Sequence, residues 1–337
     1  MNWLLNISTH GSDLEIAGPE WSEAVSLLRR TGMDGFELYP AGAYDCTAIP
    51  KEIVGGVHLR FFVMLRQIWQ NDREGLLRMF GSEQTVRHYY SGVNREAVIS
   101  CYRSQLELAA RFNVPYVVFH PVHYELEYVF NWQPPWGWRE TVDLSTEIIN
   151  EVVRDTPYDG WILFENLWWP GNFRLDSTDE IDRLLSKVRW PKCGIVLDTA
   201  HILNKNQELR TEEEAIAFLL RQVERLGDYR QLIKAVHLSK SLSGEAAKAG
   251  FANADPFCGA HDFWQRFSIA LRHVRDLDRH EPFSHSMLGE LFDLIEPDNV
   301  VFELAFSSLD EWIGKIEQQQ RALQRFFPEC RIKENLY

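Results

Sequence analysis

Four short apolar runs each end in a residue able to ligate a metal or move a proton. Glu165 closes GWILFE, Asp198 closes CGIVLD, His237 closes LIKAVH and Glu303 closes NVVFE. A charge buried at the end of an apolar run is costly unless it is paired or bound to metal. Carboxylates mixed with imidazole suit a divalent transition metal. Further side chains of the same kind occupy equivalent places. His120 ends PYVVFH, His58 lies in GGVHLRFF, and His201 follows Asp198 in DTAH. Asp278 and His280 form a DRH step, whose i, i+2 spacing lets both face one side of an extended segment.

Each of these residues also has an ordinary reading. A lone histidine at a strand end is usually a hydrogen-bonded core residue, since histidine is intermediate in burial. Asp198 could cap the helix that follows it. Glu303 could pair with an arginine, and DRH could be a solvated turn. The coincidence changes the balance, because independent accidents rarely put carboxylates and imidazoles at the same end of successive strands.

The elements that must position them alternate. Strands are expected at Asn2–Ser8, Gly35–Tyr39, within Ile53–Val63, Pro115–His120, Gly160–Asn166, Cys193–Thr199, Leu232–Ser239 and Asn299–Ala305. Helices are expected at Trp21–Arg30, Asn94–Phe112, Val142–Val153, Asp179–Val188, Thr211–Leu226 and Leu309–Phe327. In the second of these, Ile99, Tyr102, Leu106 and Ala109 recur at helical spacing. Thr211 and Glu214 have the spacing of a capping box. Gly55 and Gly56 mark a tight spot in the third strand. Continuous apolar strands are buried on both faces and belong to parallel sheets covered by helices.

This pattern predicts an α/β fold, a (β/α)8 TIM barrel. Such barrels typically take about 250 residues and build their active sites at the C-terminal ends of the strands. A doubly wound open sheet is the rival, but the phosphate fingerprint GxGxxG is missing. Residues 1–337 read as a single domain with long loop insertions at the C-terminal face, at about 67–93, 122–139 and 240–286. Segments that long are usually lids or substrate walls.

The 337 residues carry a formal net charge of −14, from 35 lysines and arginines against 49 acidic residues. That balance argues against nucleic acid as a partner, because phosphate binding needs lysine and arginine to displace counterions. Five scattered cysteines, Cys46, Cys101, Cys193, Cys258 and Cys330, form no CxxC pair. A disulfide framework is not expected, and a cytoplasmic setting is. No signal peptide and no membrane span are read from the chain. Oligomeric state is not readable.

At these residues the sequence resembles the xylose isomerase-like barrel superfamily, with its nearest pattern in the endonuclease IV branch. The matching words are VFHP around His120, FEN around Glu165, LDTAH from Leu197 to His201, HLSKS from His237, DRH from Asp278 and FEL around Glu303. Their order and spacing span most of the barrel. The resemblance implies a trinuclear zinc site. His58, His120 and Glu165 would hold one ion. Glu165, Asp198, His237 and Glu303 would hold a second. His201, Asp278 and His280 would hold a third. There are departures: Lys240 stands where the nucleic-acid members have an aspartate in HLND, and the gap from His237 to Asp278 is far longer than theirs. With the acidic charge, these argue against DNA as substrate.

The expectation is a metal-dependent hydrolase of a small or medium-sized molecule with two or three ions, zinc first and Mn, Fe or Co as alternatives. Glu165 and Glu303 would be its catalytic carboxylates. Some superfamily members are amidohydrolases of corrinoids, and that class would suit a large pocket. The first alternative is a sugar isomerase or epimerase, with one divalent ion and Glu165 and Glu303 as the acid/base pair. The second is an endonuclease IV-like phosphodiesterase. A non-enzymatic binding scaffold is a further reading. Arg60 and Lys240, close in sequence to His58 and His237, are expected to bind substrate anions. Trp168 and Trp169, just after Glu165, with Trp132, Trp136 and Trp138 in the 122–139 loop, suggest a large apolar or planar substrate.

Overall fold

The computed structural model describes residues 1–42 and 44–328; Cys330 therefore lies outside the described residues. Eight parallel strands close into a barrel in sequence order among them. They are β1 Asn2–Ser8, β2 Gly35–Tyr39, β3 Val54–His58, β4 Tyr116–Phe119, β5 Trp161–Glu165, β6 Cys193–Asp198, β7 Ile233–His237 and β8 Asn299–Phe302. Closure is made by β8 against β1, with Leu4 opposite Val301.

The barrel interior is a packed plug. Leu4, Tyr116, Val118, Leu163, Val196, Ala235 and Val301 form it, one or two from each contributing strand. The much larger second core lies between the strands and the surrounding helices. Side chains alternate in a strand, so the residue two positions beyond each plug residue also points inward, one layer higher. Val118 is followed by His120, Leu163 by Glu165, Val196 by Asp198, Ala235 by His237 and Val301 by Glu303. The polar layer is thus set by the apolar one beneath it. Gly56 makes room in the plug: a Cβ there would sit 2.4 Å from the Tyr116 ring.

The outer helices used below are α1 Ser22–Thr31, α2 Arg95–Phe112, α3 Trp138–Val152, α4 Thr178–Lys187, α5 Glu212–Glu224, α6 Phe263–Leu277 and α7 Leu309–Ala322. Thr211 and Glu214 form the reciprocal capping box at the start of α5. Two helix boundaries differ from the sequence reading by more than two residues. α3 begins at Trp138 rather than Val142, because the Gly137 N–H donates to the Glu140 carboxylate at 2.8 Å and caps the helix early. α7 ends at Ala322 rather than Phe327, and Phe326 and Phe327 instead pack against the Trp3 ring.

The three long insertions follow β3, β4 and β7, at the C-terminal ends of the strands. The first holds helices Arg73–Phe80 and Glu83–Tyr90, and the last holds Gly244–Ala252 and α6. Phe80 meets Phe263 of α6 at 4.4 Å between ring centroids, joining the first insertion to the last. No helix of the described residues is long and apolar enough to cross a membrane. Cys46, Cys101, Cys193 and Cys258 are free thiols.

Candidate metal centre

The inward layer above the plug gathers the sequence-predicted ligands around Glu165, the last residue of β5. Glu165 Oε2 is 2.9 Å from His120 Nε2, 3.3 Å from His58 Nε2 and 3.2 Å from His237 Nδ1. Its Oε1 is 3.3 Å from His201 Nδ1. Glu303 Oε2 lies 3.2 Å from His237 Nδ1, and Asp198 Oδ2 lies 4.0 Å from the same nitrogen. Asp278 Oδ2 joins His201 Nε2 at 3.4 Å to His280 Nε2 at 2.9 Å. Asp198 and His237 are opposite one another in the β6–β7 ladder, which fixes their separation.

Backbone carbonyls orient three of the imidazoles. Leu59 O is 2.9 Å from His58 Nδ1, Asn166 O is 2.7 Å from His201 Nδ1, and Glu303 O is 3.1 Å from His280 Nδ1. A carbonyl beside Nδ1 holds a ring proton there and turns Nε2 inward, where a bound cation would displace any second proton, the arrangement that metal-ligating histidines show. Asn166 also clamps the two strand ends. Its amide donates to Asp198 O at 3.1 Å and accepts the Asp198 N–H at 2.9 Å. Asp198 Oδ1 accepts the His201 N–H at 2.7 Å and caps helix Thr199–Asn204, which leaves Oδ2 for the centre.

Three observations fit these residues to divalent cations. First, the His58 and His120 Nε2 atoms are 3.1 Å apart and both face Glu165. With the His58 proton on Nδ1, at most one proton can lie between these nitrogens. Second, Asp198 Oδ2, Glu303 Oε2 and both nitrogens of His237 are buried without an aligned hydrogen-bond partner. Buried polar atoms are otherwise almost always satisfied. Third, the ligand atoms of His58, His120 and Glu165 lie within 4.8 Å of one another, as do those of Glu165, Asp198 and His237. The set His201, Asp278 and His280 is joined pairwise through Asp278.

The electrostatics agree. Burial pushes the Asp198 carboxyl well up, opposed by His201 and reinforced by Glu303, Glu165 and Asp278. Burial acts the same way on Glu165, but His120 and His237 outweigh it and hold its carboxyl well below the usual range. Glu303 is likewise lowered to about 2, with His237 and His280 outweighing burial. Burial lowers His201, and Asp198 and Asp278 more than reverse it, to about 10. The protein alone thus offsets the buried Glu165 and Glu303 carboxylates with neighbouring imidazoles; cations bound there would take over that role.

Arg60 and Lys240, expected to bind substrate anions, do not line the cavity above the centre. The Arg60 guanidinium sits 4.6 Å over the Phe62 ring and donates to Tyr89 O at 3.2 Å. Lys240 pairs with Glu212 at 2.5 Å and its backbone bridges to Glu281. Arg60 lies two residues and Lys240 three residues past the end of its strand, beyond the reach of the inward alternation. Trp168 and Trp169 do line the cavity above the centre. Trp132, Trp136 and Trp138 do not: Trp136 packs against His123 and Tyr128, and Trp132 against Phe251.

One residue escaped the sequence reading. Glu37, in the middle of β2, is 3 % exposed and places Oε1 3.0 Å from His237 Nε2. Its Oε2 accepts the Tyr116 hydroxyl at 2.7 Å. A single acid inside the apolar strand GFELY was the available signal.

The family model for the xylose isomerase-like TIM barrel matches residues 25–325. No curated protein matches the chain. Among solved structures, the chain is similar to endonuclease IV from Thermus thermophilus at 16% identity, covering 96% of this chain and 100% of that one, with a TM-score of 0.50. It is similar to an L-ribulose 3-epimerase at 11% identity, covering 100% and 98%, with a TM-score of 0.51. It is also similar to 3-keto-D-glucoside 4-epimerase from E. coli at 12% identity, covering 96% and 99%, with a TM-score of 0.50. At these identities the likeness is one of fold.

Proposed function

Starting from the fact that this chain belongs to the xylose isomerase-like TIM-barrel family, we propose that it is a metal-dependent enzyme that moves protons at an oxygen-bearing carbon of a small molecule, as an isomerase or epimerase does. The family fits this reading better than small-molecule hydrolysis, which the sequence alone had put first. The observation that carries it is the convergence of Glu165, Asp198, His237 and Glu303, with Asp198 Oδ2 and Glu303 Oε2 buried without an aligned hydrogen-bond partner.

These four residues would hold a divalent ion. When bound, such an ion supplies Lewis-acid polarisation of a substrate oxygen. Glu303 is the carboxylate suited to accept a proton: it lines the cavity and its side chain is 20% exposed. Glu165, whose Oε2 lies 3.2 Å from His237 Nδ1 as Glu303 Oε2 does, is the partner for the returning proton. Its contacts to four imidazoles give it a path to proton donors that burial would otherwise deny it.

Hydrolysis is the second reading, and one observation favours it. His58, His120, His201, Asp278 and His280 add ligand-type atoms that a single ion does not need. In that case Glu303 would take its proton from water. Phosphodiester cleavage is disfavoured by the charge of −14 and by a cavity without lysine or arginine among the described residues.

Elemental analysis of the purified chain separates these readings. One ion per chain supports proton transfer, two or three support hydrolysis, and none sinks both. Asp198→Asn keeps the Oδ1 cap on helix Thr199–Asn204 and removes the anionic ligand. It is expected to lose metal while retaining the wild-type circular dichroism spectrum.

A further inference from the structure

The cavity above the centre is open to solvent at its mouth. Its floor is the ligand cluster, and its walls are of another chemistry. One wall is a face of α6, with Phe267, Ala270, Leu271 and Val274. Another comes from the segments after β4 and β5, with Val122, Leu126, Val129, Leu167, Trp168 and Trp169. Among the described residues, no lysine, arginine, serine, threonine, asparagine or glutamine lines it. The Tyr124 hydroxyl is spent on Tyr128 O at 3.0 Å. Phe61 and Leu271, 43% and 38% exposed, carry the apolar surface out to the mouth.

A sugar chain or a phosphate drawn between such walls would give up water and find no partner, which costs free energy for each group. An apolar group entering there is stabilised by every methylene it buries. We infer that the substrate carries an uncharged alkyl or aryl arm, seated against α6, and presents an oxygen-bearing head to the centre below. The head rests on the reading of the centre proposed above; the arm rests on the walls alone.

Acetohydroxamate and octanohydroxamate share one chelating head and differ only in the alkyl arm. On zinc-loaded protein, followed by calorimetry, octanohydroxamate is expected to bind roughly 10–100-fold more tightly. Leu271→Asp, at a half-exposed wall position, is expected to erase most of that gain and leave acetohydroxamate binding unchanged; Val274→Asp repeats the test one helical turn away. Equal affinity for the two hydroxamates, or displacement of octanohydroxamate by equimolar xylitol, overturns the arm and leaves the metal reading intact. Octan-1-ol binding metal-free protein as tightly as octanohydroxamate binds the loaded form supports the arm and removes the metal reading. Failure of both hydroxamates and of octan-1-ol to bind overturns the inference.

Discussion

At the scale of single residues, the centre depends on side chains that touch no substrate. Glu37 stands behind His237, and Tyr116 stands behind Glu37, each buried and each fixing the next. Burial keeps the Tyr116 hydroxyl protonated, so it remains a donor. Tyr116→Phe leaves Glu37 Oε2 buried without its donor, which costs about 1–3 kcal/mol. The same variant is expected to weaken metal binding about 10–100-fold, as loss of an outer partner usually does. Urea unfolding gives the first quantity and titration against a competing chelator the second. A variant that unfolds earlier with unchanged metal affinity would assign the pair to packing alone.

At the scale of elements, most of the site was legible because strand alternation and burial act together. An apolar run that ends in an acid or imidazole already says which layer that residue enters, as with Leu163 and Glu165 or Ala235 and His237. The same rule would have found Glu37, two residues past Gly35, but a lone charge inside a strand carries little weight without its partners. The rule reaches one residue past the strand, as for His120 and Glu303, and no further. Arg60 and Lys240 lie beyond β3 and β7, so nearness in sequence to His58 and His237 said nothing about direction. Nor does residue type alone tell a tryptophan in the wall from one beneath it, so Trp168 and Trp136 looked alike.

Lys240 has a different task at this scale. Glu212, at the start of α5, takes the Lys240 ammonium and also accepts the N–H groups of Ser284 and His285 at 2.5 and 2.6 Å. The carboxylate thus ties both ends of the 240–286 insertion to the barrel. Burial raises its pKa, and Lys240, Ser284 and His285 outweigh that and lower it. A depressed folded-state pKa contributes stability above the unfolded value, near 4.3 for glutamate, and loses it as pH falls through the folded value. Glu212→Gln is therefore expected to cost about 1–3 kcal/mol at pH 7. The gap to wild type should close on acidification below about pH 4. Thermal melts of both proteins from pH 7 to pH 3 check this; a gap constant with pH would mean that the charge is not the cause.

At the scale of the whole molecule, the ligands come from β3 through β8 and from the segment after α6, so a bound cation links most of the barrel at one point. Binding to the folded chain alone stabilises it by mass action, about 2.7 kcal/mol at a hundredfold excess over Kd. In a chain this large each kcal/mol shifts Tm by about 1–2 °C. Chelation followed by dialysis is expected to lower Tm by at least a few degrees, and zinc to restore it. An unchanged Tm through that cycle would show that the folded chain takes up no ion.

Asp278 is the C-cap of α6, its N–H bonded to Val274 O at 2.8 Å, and Val274 faces the chamber. The helix that shapes the chamber and the carboxylate that joins His201 to His280 are therefore one rigid lever. Chamber width cannot be changed by sliding α6 without dragging Asp278 off its histidines. Anyone retuning this barrel for a bulkier or slimmer guest must carve the side chains at 267, 270, 271 and 274 and leave the rod itself in place.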